Sequence, residues 1–165
     1  MSEALLRTDK EITDIYMRHV KTVYRVCFAY MKNKSDTEDA VEETFYRMIR
    51  KGPQFENEEH EKAWLIRVAT NICKNTFRSR WRKRESLESF ENSQGVDNVE
   101  IDEIFSAVLS MPDKYKTVVY LYYYEGYNSR EISEMLGKPK STIRNYLHEA
   151  RNSLREKLGG NFDEE

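Results

Sequence analysis

The stretch Asn128–Leu158, NSREISEMLGKPKSTIRNYLHEARNSLREKL, decides the fold. Two short helical patterns flank a glycine. Ile132, Met135 and Leu136 give the first an apolar face. Ile143, Leu147, Ala150 and Leu154 recur at i, i+4, i+7 and i+11 in the second. Asn128 and Glu131 have the spacing of a capping box, and Ser141 is the expected N-cap of the second helix. Gly137 can take φ > 0 and end the first helix, while Pro139 keeps it from restarting early. This spacing predicts a helix-turn-helix whose second helix is offered to a DNA major groove.

The residues left outward suit that use. Lys138, Lys140, Ser141, Arg144, Asn145 and His148 gather on the first turns of the second helix, off its apolar stripe. Arg and Asn can bind guanine and adenine edges bidentately; Lys and Ser suit phosphates. A solvated face on a helical hairpin would show the same turn, so the rest of the chain has to weigh in.

The 165 residues fit one or two domains, and 39% hydrophobic with 34% charged residues describes a folded, charge-rich chain. Six glycines and three prolines favour a mostly helical protein. No long apolar run opens the chain, so neither a signal peptide nor a membrane insertion is expected. Cys27 and Cys73 fall on apolar helical positions without a CxxC or Cys/His pattern; reduced core thiols are expected, and no metal or other cofactor. The net charge of −2 hides a segregation. Residues 9–84 carry a net +5, residues 85–113 a net −8 and residues 114–158 a net +4. Two basic blocks are thus separated by an acidic one, which leaves two surfaces able to meet a polyanion.

In chain order, residues 9–32 read as an amphipathic helix with Ile12, Ile15, Tyr16, Val20, Val23, Cys27 and Met31 inward; His19 is assigned to its outer face. A second helix opens at Ser35, with Glu38 completing a capping box, and ends at Gly52-Pro53. Val41, Phe45, Met48 and Ile49 face inward, while Asp39, Glu42, Glu43, Tyr46 and Arg50 form an outward ridge suited to a basic partner. A third helix runs from about Asn57 to Arg84, with Trp64, Leu65, Val68, Ala69, Ile72 and Thr76 as its buried stripe. Another of its faces carries Arg67, Asn71, Lys74, Arg78 and Arg82 at spacings of four, three, four and four. That is a cationic ridge about 22 Å long, suited to a nucleic-acid backbone and unstacked bases. Residues 85–100 read as a flexible acidic linker. Ile104, Phe105, Val108 and Leu109 build a fourth helix. Pro112 is placed at the first position of a fifth, 113–125, despite the β-propensity of VVYLYYY. The tail GGNFDEE reads as frayed.

These residues resemble a bacterial family, the RNA polymerase sigma factors of the extracytoplasmic-function (ECF) group. SDTEDAVEETFYRMI is similar to its region 2.2, WLIRVATNICKNTFRSRWRKR to regions 2.3–2.4, and SAVLSMPDKYKTVVYLYYYEGYNSREISEMLGKPKSTIRNYLHEARNSL to region 4. The resemblance implies an all-α protein of two small helical domains: 1–84 for core polymerase and the −10 element, an acidic linker 85–100, and 101–160 with the helix-turn-helix for the −35 element. By position, Asp39, Glu42, Glu43 and Tyr46 would meet core RNA polymerase. Trp64, Arg67, Asn71, Lys74, Asn75, Arg78 and Arg82 would handle the separated −10 strand. Lys138, Lys140, Ser141, Thr142, Arg144, Asn145, His148 and Arg151 would meet duplex promoter DNA at −35. The partners implied are core polymerase, promoter DNA and an anti-sigma factor, membrane-anchored in many relatives; the place of action is the cytoplasm, at the nucleoid. Where the family often has Gln and Asp, this chain has Glu42 and Asn75. Its recognition helix reads NYLHEAR where SRLHRAR is common.

No nucleophile–base pair or phosphate-cradling glycine loop is visible, so catalysis by the chain itself is not expected. Two rival readings remain on the residues alone. A dimeric operator-binding regulator would hold DNA tightly without polymerase, and a protein adaptor would not touch DNA.

Overall fold

The computed structural model describes residues 7–84 and 101–158; for 77–84 and 157–158 it describes the helical backbone only. The expectations for the linker 85–100 and the tail lie outside the described residues. The described part is all helical and divides into two compact units, with the boundary between Val99 and Glu100.

The N-terminal unit is a three-helix assembly of α1 (Asp9–Met31), α2 (Lys34–Lys51) and α3 (Glu58–Arg84), each packed against the other two. Val23, Val26, Cys27, Met48, Leu65, Ile66, Ala69 and Cys73 are its most deeply buried apolar side chains. Thr8 caps α1 through a capping box with Glu11. Lys32 ends it in the left-handed region, at φ 60°. The expected cap of α2, Ser35, loses to Asn33 two residues earlier. Asn33 Oδ1 accepts from Asp36 N at 2.8 Å while its amide donates to Asp36 Oδ2 at 2.8 Å and Met31 O at 3.1 Å. One side chain thereby closes the α1–α2 corner, which a serine hydroxyl cannot do.

Several expected burials also change. His19 is buried rather than on an outer face, because Glu61 of α3 comes to meet it. Ile49 is 41% exposed and Tyr16 is 40% exposed. Phe45 is buried, with the Tyr16 ring edge-on to it at 4.9 Å.

The C-terminal unit contains α4 (Glu103–Leu109), α5 (Asp113–Val119), α6 (Ser129–Leu136) and α7 (Lys140–Leu158). Phe105, Val108, Tyr120, Leu121, Ile132 and Ile143 fill its centre. Ile104, expected inward, is 42% exposed. The VVYLYYY run is helical as expected, but α5 widens into a π-helical turn over Tyr120–Tyr124. The rings of Tyr120 and Tyr124 stack at 5.1 Å, and the Tyr120 hydroxyl donates to Glu125 at 2.6 Å. Pro112 is the N-cap of α5, not its first residue, since its ψ of 146° is extended.

Candidate functional site

The helix-turn-helix forms as its spacing predicts. Asn128 and Glu131 make the full capping box of α6, and Gly137 ends it at φ 69°, ψ 33°. The turn is tied by Ser133 Oγ, which donates to Lys138 O at 2.6 Å. Ser141, however, lies inside α7: Thr142 N and Ile143 N both donate to Pro139 O, at 3.0 and 3.2 Å, so the helix begins two residues earlier, at Lys140. Proline's fixed φ allows its carbonyl to close the first turn.

Burial of Ile132, Met135, Ile143, Leu147, Ala150 and Leu154 holds α6 against α7 and sets the outward face. Lys140, Ser141, Arg144, Asn145 and His148 are exposed on it. Lys138 and Thr142 are half-buried at its edge. Arg151 is half-buried too, its Nε donating to the Tyr123 hydroxyl at 3.4 Å. Arg144, Asn145 and His148, at i, i+1 and i+4, form one patch with both donors and acceptors for base edges. The acidic Glu149 does not point into that patch alone. Its carboxylate accepts from the Tyr115 hydroxyl of α5, which raises the Tyr115 pKa above the ordinary tyrosine value. The Tyr115 ring meets Tyr146 at 5.3 Å, and Lys114 Nζ lies 5.5 and 5.9 Å from these two rings. The sequence reading missed this flank because its members are about thirty positions apart.

On α3 the buried stripe is broader than expected, with Ile66, Thr70 and Cys73 fully covered and Trp64, Val68 and Thr76 half-buried. Arg67, Asn71 and Asn75 are exposed and Lys74 is half-buried on the opposite side. Arg78 and Arg82 continue the spacing along the helix, their side chains lying outside the described residues. Trp64, one turn before Arg67, joins an aromatic group that the sequence reading missed. Phe55 meets it edge-on at 5.8 Å and meets His60 at 5.2 Å. No periodic signal could have shown this, since Phe55 lies in a loop.

On α2, Asp39, Glu42 and Tyr46 are exposed. Glu43 is half-buried and accepts from Arg47 Nε at 3.0 Å. Arg50 donates to the Tyr46 hydroxyl at 3.1 Å and lies 5.4 Å over its ring. Between α2 and α3 runs a groove of about 360 Å³, with Asp39, Glu43 and Arg47 on one wall and Ile72, Asn75 and Thr76 on the other. The structure thus brings Asp39 and Glu43 together with Asn75, which the sequence had assigned to two separate surfaces. Among the described residues, no group of three or more His, Cys, Asp or Glu could hold a metal ion. Among the described residues, no helix is long and apolar enough to cross a membrane.

Comparison with known proteins matches residues 15–83 to Sigma-70 region 2 and residues 101–154 to Sigma-70, region 4. Among curated proteins, the chain is similar to RNA polymerase sigma factor SigV of Bacillus subtilis (strain 168), 27% identical over 85% of this chain and 86% of that protein. ECF RNA polymerase sigma factor SigW of the same organism is also 27% identical, over 90% of this chain and 87% of that protein. Among solved structures, the fold resembles sigma factor RpoE in its co-crystal with the anti-sigma factor NepR from Bartonella quintana. The TM-score is 0.69 at 18% identity, covering 93% of this chain and 99% of that one.

Proposed function

The chain belongs to the sigma-70 family, in its extracytoplasmic-function (ECF) group, and from that premise we propose how its surfaces divide the work of promoter-specific transcription initiation by RNA polymerase. Asp39, Glu42, Glu43 and Tyr46 on α2 dock on core polymerase. Trp64, Arg67, Asn71, Lys74, Asn75, Arg78 and Arg82 on α3 hold the separated strand of the −10 element. Lys138, Lys140, Ser141, Thr142, Arg144, Asn145, His148 and Arg151 meet the duplex at −35. The chain itself catalyses no reaction and works in the cytoplasm, with an anti-sigma factor as a further partner.

The observation that carries this reading is the outward patch of Arg144, Asn145 and His148 on α7, held there by a fully buried opposite stripe. Such a face can read a major groove, but one short helix on a chain of net charge −2 binds DNA weakly. Joining two weak DNA contacts to one large enzyme makes the second contact effectively intramolecular. Strand opening costs about 1.4 kcal/mol per base-pair step, and capture of the open strand on α3 offsets part of that.

Run-off transcription of genomic DNA with purified core polymerase, with and without this protein, tests the proposal. New transcripts that share two upstream elements support it. Tight duplex binding without polymerase, and no new transcripts, would instead favour the operator-binding regulator. Arg144→Ala is expected to cost about 1–3 kcal/mol on the preferred −35 sequence and to flatten preference at one or two positions. A uniform loss across all sequences, measured by competition binding, would reassign Arg144 to phosphate.

A further inference from the structure

We propose that Arg7 is a positioning residue that holds the α2–α3 loop so that Phe55 and Trp64 form a platform for an unstacked base; this rests on the assignment of Trp64 to the −10 strand made above. Arg7 directly precedes Thr8, the cap of α1, so its backbone is anchored. Its guanidinium crosses to the C-terminal end of α2. Nη1 donates to Met48 O at 3.3 Å and approaches Gly52 O at 3.5 Å, and Nη2 donates to Pro53 O. Met48 O already accepts from Gly52 N at 2.9 Å and takes Arg7 as a second donor; carbonyls at a helix C-terminus carry the negative end of the helix dipole, so a cation is favoured there. A planar fork of five donors can spread over three carbonyls while its flat face lies on a ring; a lysine ammonium has three donors but is a compact point charge without the fork or the face.

The loop is shaped for this contact. A Cβ added at Gly52 would meet Met48 O at 2.6 Å and Arg7 Nη1 at 3.3 Å, so a side chain at that position would wedge the two apart. Beyond the three carbonyls, the guanidinium carbon lies 5.0 Å over the Phe55 ring. Pro53, Gln54, Glu56 and Asn57 are exposed, so burial does little to fix the loop. Phe55, His60 and Trp64 are each half-buried, so part of each ring remains accessible. His60, Trp64, Arg67 and Asn71 follow at spacings of four, three and four on one face of α3. The platform therefore stands at the head of the cationic ridge, where a backbone-tracking strand would present a base to it. Among the described residues, Arg7 makes its contacts with Met48, Gly52, Pro53 and Phe55 and with none of the ridge. Its effect on DNA passes through Phe55.

The test uses the full chain with core polymerase and a forked promoter probe whose −10 strand is single. Each −10 position is substituted in turn. Arg7→Gln and Arg7→Lys are expected to weaken forked-probe binding about tenfold, in line with loss of one stacked base, and to flatten base preference at a single position. Core affinity, −35 duplex binding and the melting temperature should stay at wild-type values. A loss spread over all positions together with a fall in melting temperature would make Arg7 merely structural and overturn the proposal. Phe55→Ala and Trp64→Ala serve as the reference. If they lose the same single-position preference while the Arg7 variants do not, the Arg7 role fails and the −10 assignment survives. If Trp64→Ala leaves forked-probe binding intact, both fail.

Discussion

Reversing the charge at Asp39 and Glu43 together, Asp39→Lys with Glu43→Lys, should lower the affinity for core polymerase about hundredfold and leave the circular dichroism spectrum unchanged. Both residues stand on the α2 wall of the groove shared with Asn75. Asp39 is exposed and has no ion-pair partner among the described residues. Glu43 is engaged by Arg47 at 3.0 Å, a surface pair worth only a few tenths of a kcal/mol. The fold therefore tolerates the change, whereas a basic docking surface would not. Arg47 and Arg50 interleave with the acids, so the ridge is a patterned surface rather than a uniformly negative one. A titration of labelled chain with core polymerase at two salt concentrations measures the effect. Unchanged affinity would remove α2 from the polymerase contact.

The second large effect is on stability. Glu61→Ala should lower the unfolding free energy of the N-terminal unit by about 2–4 kcal/mol. Glu61, in the first turn of α3, ties α3 to α1. Arg18 donates to both of its oxygens, at 3.1 and 3.0 Å, and His19 Nε2 lies 2.9 Å from Oε1. An ionised carboxylate only accepts, so that ring nitrogen carries the proton. Removing the carboxylate leaves the buried His19 donor unmatched. Burial pushes the Glu61 pKa up, but the Arg18 and His19 hydrogen bonds and charges outweigh it and hold the group below its ordinary value. Because the folded state then binds protons less readily than the unfolded one, this stabilisation is complete above about pH 5. It fades as pH falls through the folded-state value. Urea unfolding at several pH values should show a steep acid limb in the wild type and a shallower one in Glu61→Gln. Equal acid limbs would refute the role.

The helices themselves were legible because their signals are local. Apolar residues at helical spacing, Asn128 with Glu131, and Gly137 specify where a chain coils and stops with few neighbours consulted. Even the tyrosine run followed the helix that flanks it, although its spacing did not show the π-helical turn in which Tyr120 and Tyr124 stack. The basic and acidic faces were legible for the same reason, since a face is defined by one helix alone. Cap choice was less so. Asn33 and Ser35 both offer a capping oxygen, and the corner between α1 and α2 selects the side chain that can also reach Met31 O.

By itself the sequence determined an all-helical chain in two units, a helix-turn-helix with Arg144, Asn145 and His148 outward, and a cationic face on α3. Each of these follows from spacing along one segment. Only the tertiary structure decided that His19 is buried by Glu61, that Glu149 is drawn to Tyr115, that Asp39 and Glu43 share a groove with Asn75, and that Arg7 grips the loop of Phe55. Those contacts join residues 32–46 positions apart, from Glu43 with Asn75 to Arg7 with Pro53. Periodicity carries no information at such separations. They arise when helices dock, and docking is set by the shape of the whole buried interior.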